Sequence, residues 1–256
     1  MRLFAILAAL VATVTVGQAQ SIVLEGTTVR VRGTSGADDV RVESFDGDVV
    51  VYLQNETDFI FDVYQDFEVR RVVCSLGGGD DTFDATTFTK RCVVSAGRGD
   101  DTVLGGLGDD VIRGNRGNDY LDGGPGIDRL LGGDDRDIVI GGTGIDGVFG
   151  DGGQDIVIGG QFIETEGNIG LAKILWFDRP DDNFEPAVVA FFETGFTFVP
   201  DFDLDFVVGG KEADLFVVDA DEVITDGVGW PSGNFPTEQG DRVDAVFVEL
   251  GDFDVE

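Results

Sequence analysis

Gly123-Gly124-Pro125-Gly126-Ile127-Asp128-Arg129-Leu130-Leu131 is one copy of a nine-residue unit, G-G-x-G-x-D-x-U-x with U aliphatic, that is written seven times from Ala96 to Ile158. The aspartate falls at Asp101, Asp110, Asp119, Asp128, Asp137, Asp146 and Asp155. Two residues later come Val103, Ile112, Leu121, Leu130, Val139, Val148 and Val157. A unit this short cannot bury a core alone and must stack on its neighbours. The segment x-U-x is long enough for a short strand with its aliphatic residue inward, and the glycines bend the chain through left-handed backbone conformations. Two units then make one flattened coil, so residues eighteen positions apart lie over one another. Asp101, Asp119, Asp137 and Asp155 line one edge, and Asp110, Asp128 and Asp146 line the other. An acidic flexible linker could share this Gly and Asp content, but it has no reason to keep an aliphatic residue at every ninth position.

Carboxylates stacked in this way repel unless a cation lies between them. Ca²⁺ suits the donors: it is hard, takes six to eight oxygens, and accepts carboxylates and turn carbonyls in flexible geometry. The chain contains no His, and its two Cys lie outside the array, which disfavours softer metals. These units resemble the repeats-in-toxin (RTX) family, whose nonapeptide binds Ca²⁺. The resemblance implies an all-β fold, a parallel β-roll. It also implies an ion between each stacked pair: Asp101 with Asp119, Asp119 with Asp137, Asp137 with Asp155, Asp110 with Asp128, and Asp128 with Asp146. Two units depart from the pattern, with Asp135 at a third-glycine position and Asp151 at a second-glycine position.

Outside the array the same unit recurs in weaker form. Leu76 to Phe83 is a clear copy with its aspartate at Asp81, twenty residues before Asp101; the eleven residues Ala85 to Ser95 between them form a half-coil without a calcium loop. If that half-coil keeps the stacking, Asp81 and Asp101 make a sixth site. Gly33 to Val40 is a degenerate copy with Asp38 in the ligand position and no identifiable in-register neighbour. The predicted metal residues are thus Asp81, Asp101, Asp110, Asp119, Asp128, Asp137, Asp146 and Asp155. Cys74 and Cys92 leave a disulfide and two buried thiols both open. Stacking Asp81 on Asp101 places Cys74 over Val94 and leaves Cys92 two positions off, which is a poor geometry for a bridge.

The rest of the chain divides around the array. Residues 1–19 read as a Sec signal peptide: Arg2, then an apolar run, then Gly17-Gln18-Ala19. This implies a secreted, extracellular protein. Residues 20–75 alternate as strands and are expected to cap the roll, which occupies 76–158. Residues 159–199 form an apolar insert with Trp176 and many Phe. Buried, it is a lid over the roll; exposed, it is a contact for a cell-surface or extracellular polysaccharide or protein. Residues 200–256 resume the repeat at Asp205 and Asp214 and supply closing strands. This ending resembles that of serralysin-type proteins, with Glu212 departing where glycine is expected.

A formal charge of −33 argues against nucleic acid or an anionic membrane as partner. No apolar stretch after the leader is long enough to span a membrane. Gly142-Thr143-Gly144-Ile145-Asp146-Gly147 matches G-x-G-x-x-G, but it is a by-product of the repeat, and its aspartate would repel a phosphate. Asp201, Asp203, Asp205 and Glu212 fall at EF-hand spacings with Phe206 where that loop needs glycine, and are read as acidic coincidence. No histidine-based catalytic site can be built from this sequence. The expectation is a non-catalytic calcium-folded structural or interaction module. A small extracellular hydrolase or carbohydrate-modifying accessory with a carboxylate pair near the insert is the alternative.

Overall fold

The computed structural model describes residues 20–164, 196–199, 205–210, 215–218, 223–225 and 245–248. Among the described residues the chain winds through seven coils, each giving one strand to each of two facing sheets. In the first sheet these strands are β2 (Thr28–Arg32), β6 (Arg71–Ser75), β8 (Arg91–Arg98), β10 (Val111–Arg116), β12 (Arg129–Asp134), β14 (Gly147–Gly152) and β18 (Phe206–Gly210). In the second they are β3 (Asp38–Phe45), β7 (Thr82–Asp84), β9 (Thr102–Leu104), β11 (Tyr120–Asp122), β13 (Ile138–Ile140), β15 (Ile156–Ile158) and β19 (Leu215–Val218). Successive coils pair in parallel, eighteen residues apart through the array: Ile112 opposite Leu130, Leu121 opposite Val139. Just before the array the step is twenty residues, with Cys74 opposite Val94 and Phe83 opposite Val103, and at both ends of the roll it is longer.

At the amino-terminal end the sheets turn antiparallel. β1 (Ser21–Glu25) pairs with β2, while β4 (Asp48–Asn55) and β5 (Phe59–Gln65) extend the second sheet as a meander from β3. At the other end β20 (Val223–Thr225) pairs in parallel with β18, and β21 (Ala245–Val248) lies antiparallel to β19. Between β15 and β18, β16 (Gln161–Glu164) and β17 (Phe196–Val199) form a separate antiparallel pair. The strands expected to cap the roll therefore continue its sheets, and β2 with β3 make its first coil.

The aliphatic period explains the interior. One inward column runs Val31, Cys74, Val94, Ile112, Leu130, Val148, Val207; the facing column runs Val40, Phe83, Val103, Leu121, Val139, Val157. All of these residues are buried in one cluster, at about 1.5–3 kcal/mol for each aliphatic side chain of this size. Ile138, Ile140, Ile156 and Ile158 alternate with Val139 and Val157 and so face outward, yet they too are fully buried. The second sheet is thus buried on both faces at β13 and β15, as parallel sheets generally are. The side chains of the apolar insert, expected to be a lid, lie outside the described residues, as does the expected leader at 1–19.

The turns show why glycine recurs. The second-glycine site takes positive φ in most units, as at Gly124 (φ 84°) and Gly142 (φ 110°). Asn115 (φ 87°) and Asp151 (φ 77°) occupy the same site, and Asp135 (φ 83°) a third-glycine site. Asn and Asp tolerate the left-handed region better than other side chains. Asn115 is a departure beyond the two read from the sequence. The G-x-G-x-x-G run ends directly in strand β14, with no helix to receive a dinucleotide.

Candidate metal centre

Each turn ends on an aspartate whose side chain folds back under it. On one edge the side chains form a ladder in which each Oδ1 accepts the backbone N–H of the aspartate one coil earlier. Asp38 N–H donates to Asp81 (2.7 Å), Asp81 to Asp101 (2.8 Å), Asp101 to Asp119 (2.9 Å), Asp119 to Asp137 (2.8 Å) and Asp137 to Asp155 (2.9 Å). On the opposite edge Cys92 N–H donates to Asp110 (2.6 Å), Asp110 to Asp128 (2.7 Å), Asp128 to Asp146 (2.7 Å) and Asp146 to Asp205 (2.6 Å). All eight residues singled out from the sequence stand in these two ladders.

Two more join them. Asp38, for which no neighbour was legible, stacks on Asp81 because β3 pairs with β7 across an intervening hairpin of more than thirty residues, and periodicity alone cannot see across that gap. Asp205 stacks on Asp146, with the whole insert looped out between them. It belongs to the roll and not to an EF-hand. Asp146 consequently has a neighbour on both sides. Asp155 faces the Gly209 carbonyl of the next coil, since a methyl group built on Gly150 would meet both Asp155 Oδ2 and that oxygen; the aspartate that would follow it, Asp214, lies outside the described residues.

All ten carboxylates are buried, at 0–3% exposure. Burial raises the pKa of Asp81, Asp110, Asp128 and Asp137: it pushes Asp81 up to about 7, against the lowering bond from Asp38 N–H and with help from the Asp101 charge. It pushes Asp128 to about 7 and Asp110 to about 6, the latter held lower by the N–H groups of Cys92 and Gly106. Asp137 is raised well above the ordinary range, by burial first and then by Asp155 and Asp119. Carboxylates one coil apart, about 4.8 Å, repel by roughly 3 kcal/mol at an effective dielectric of about 20.

The donor set fits a hard cation. The Oδ2 atoms of Asp81, Asp128 and Asp137 are buried without a hydrogen-bond partner. A turn carbonyl from the next coil approaches the same place: a methyl group built on Gly123 would stand 2.5 Å from the Gly141 carbonyl oxygen and 2.6 Å from Asp128 Oδ2. On Gly132 it would collide with Asp137 Oδ2 and stand 2.7 Å from the Gly150 carbonyl. Among the described residues no three acidic side chains converge on one point. A cation here is therefore held by carboxylate oxygens together with backbone carbonyls, which is calcium's manner of coordination and not that of zinc.

Cys74 and Cys92 are both free and buried. Cys74 lies opposite Val94, and Cys92 opposite Val72, two positions off as the register implied. Burial lifts both thiols well above their usual range, with the Asp81 and Asp110 charges adding, so neither is poised as a nucleophile or a ligand.

The fold and the ladders together define a calcium-binding parallel β-roll. A family model described as RTX calcium-binding nonapeptide repeat (4 copies) matches residues 95–130 and 131–162. That segment is similar to RTX calcium-binding nonapeptide repeats. No curated protein and no solved structure matches the chain.

Proposed function

We propose that this is a secreted module that folds around calcium and acts as a non-catalytic structural or interaction unit outside the cell. The observation that carries the reading is the pair of aspartate ladders, buried, mutually repulsive and, at Asp81, Asp128 and Asp137, left with Oδ2 atoms that accept no hydrogen bond. In it, Asp81, Asp101, Asp110, Asp119, Asp128, Asp137, Asp146 and Asp155 hold the ions, joined by Asp38 and Asp205. Bound Ca²⁺ supplies the positive charge that lets two carboxylates share one interface. From Asp81 and Asp110 onward the chain's own part is to hold each Oδ1 on the amide one coil earlier, which leaves Oδ2 for the ion. Residues 1–19 serve as the export signal, so the chain meets calcium at the millimolar levels where extracellular modules bind, about 10⁻⁴ to 10⁻³ M.

Binding confined to the folded state stabilises it by mass action. Circular dichroism and hydrodynamic radius of the leaderless protein, in chelator and then in millimolar calcium, test the reading. A gain of strand signal and a smaller radius on adding calcium are expected. The same signal and radius in both would sink it.

A further inference from the structure

The acidic turns distract from a basic face. On the outer side of the first sheet Arg30, Arg32, Arg71, Arg91, Arg113 and Arg129 are all exposed, and Arg98 and Arg116 extend this face onto the adjoining turn edge. Basic residues thus gather on one face of a chain whose net charge is −33. At the amino-terminal end of that face they border a groove of about 810 Å³, lined by Arg32, Ser35, Ser75, Gly78 and Arg98 among others.

The groove follows from the sequence of three successive turns. The third position of the turn is Ser35 in the first coil, Gly78 in the second and Arg98 in the third. Gly78, with Gly77 and Gly79 beside it, leaves a floor of bare backbone. A methyl group built on Gly78 would touch Arg98 at 3.7–3.9 Å and the Ser35 carbonyl at 4.0 Å, so the first and third coils stand as walls. Walls two strand spacings apart are roughly 10 Å apart. Among the described residues neither Arg32 nor Arg98 has a carboxylate within ion-pair distance; the ion pairs of arginines on this face are Arg30 with Glu25 and Arg116 with Asp134. The nearest turn acids are engaged along the edge: Asp80 Oδ1 accepts Asp100 N–H, and Asp100 Oδ1 accepts Asn118 N–H.

We infer that this groove binds an acidic polysaccharide, with Arg32 and Arg98 taking carboxylate or sulfate groups and Ser35, Ser75 and the exposed backbone taking sugar hydroxyls. Guanidinium groups recognise such anions through paired, planar hydrogen bonds. The lining carries the hydroxyls of Ser35 and Ser75 and contains no aromatic ring, so it offers a nucleic-acid base nothing to stack on. It offers no apolar pocket for a peptide anchor either. The inference rests on the roll being folded, and hence on the calcium reading above.

The test uses the leaderless protein in millimolar calcium, with its fold verified by circular dichroism so that loss of the roll is told apart from loss of the groove. Heparin is the sulfated probe, dextran the neutral one, and an oligothymidylate of matched charge the nucleic-acid one. Heparin should bind in a salt-sensitive manner, and both dextran and oligothymidylate at least tenfold more weakly. Arg32→Gln with Arg98→Gln should weaken heparin at least tenfold with the strand signal unchanged, while Arg41→Gln on the other sheet should not. No heparin binding by the folded protein overturns the proposal, as does binding indifferent to the double substitution. Equal, arginine-dependent binding of oligothymidylate overturns it in favour of a nucleic-acid surface.

Discussion

Asp128 can lose its charge without losing its shape. Asparagine keeps an Oδ1 to accept Asp110 N–H, and its amide nitrogen can donate to the carbonyl that crowds Oδ2. Asp128→Asn should therefore bind less calcium, by calorimetric stoichiometry, yet melt higher than wild type in chelator, by on the order of 1 kcal/mol. A variant that melts lower in both conditions would show that the charge itself is not the burden. The same burden sets a pH dependence. Asp81, Asp110 and Asp128 titrate in the fold at about 7, 6 and 7, above their ordinary 3.8, so the folded state holds more protons between those limits. Their contribution to metal-free stability is fully present below about pH 4 and is lost as pH rises through 6 to 7. Thermal melts in chelator should rise as pH is lowered from 8 to 5, and calcium added at pH 6 should release protons. How far such residues were legible depended on spacing. The aspartates at fixed intervals of eighteen could be stacked by counting, and so could Asp81 at twenty. Asp38 and Asp205 could not, because strand pairing across a hairpin and across an insert decides their neighbours. Asn115 went unread because it stands in for glycine by backbone conformation and not by likeness.

At the scale of elements, the coils are unequally furnished. Through the array each strand contributes one inward aliphatic side chain, whereas the first coils also bury Leu53, Leu76, Phe83 and Phe88 and are braced by the antiparallel strands β4 and β5. The half-coil after β7 replaces a calcium loop with a cation of the chain's own. Lys90 Nζ donates to the carbonyls of Asp66 and Val69, the latter at 2.8 Å, and pairs with the Asp66 carboxylate at 2.7 Å. Ladder and core here depend less on metal, so amide exchange in chelator should leave residues 28–104 more protected than 105–158. Uniform protection loss along the roll would refute that gradient. Lys90→Met should destabilise the protein by about 1–3 kcal/mol in calcium and in chelator alike, since it strands two carbonyls whatever the metal; a loss seen only in calcium would place an ion there. The half-coil itself was legible as an absence of the motif. The lysine that fills it was not, because its partners come from a turn about twenty residues upstream.

For the whole molecule, a net charge of −33 produces two kinds of repulsion that calcium relieves and that other salts would separate. Exposed carboxylates repel through solvent, and that part fades at the ~3 Å screening length of about 1 M salt. The ladder carboxylates are buried, at 0–3% exposure, where mobile ions cannot screen them. The Oδ2 atoms of Asp81, Asp128 and Asp137, which accept no hydrogen bond, need a cation in direct contact, one able to shed its water and accept irregular oxygen ligands. Mg²⁺ demands near-octahedral geometry and dehydrates reluctantly, so it meets the charge requirement and not the coordination requirement. Sodium chloride should therefore shrink the chelated protein only partly, and millimolar magnesium no more than an equal ionic strength of sodium chloride, while millimolar calcium takes it to the compact form with full strand signal. Small-angle scattering and circular dichroism on matched samples separate the cases. Compaction by magnesium to the calcium radius would mean that the ladders respond to charge in general and that no coordinated site forms between the coils.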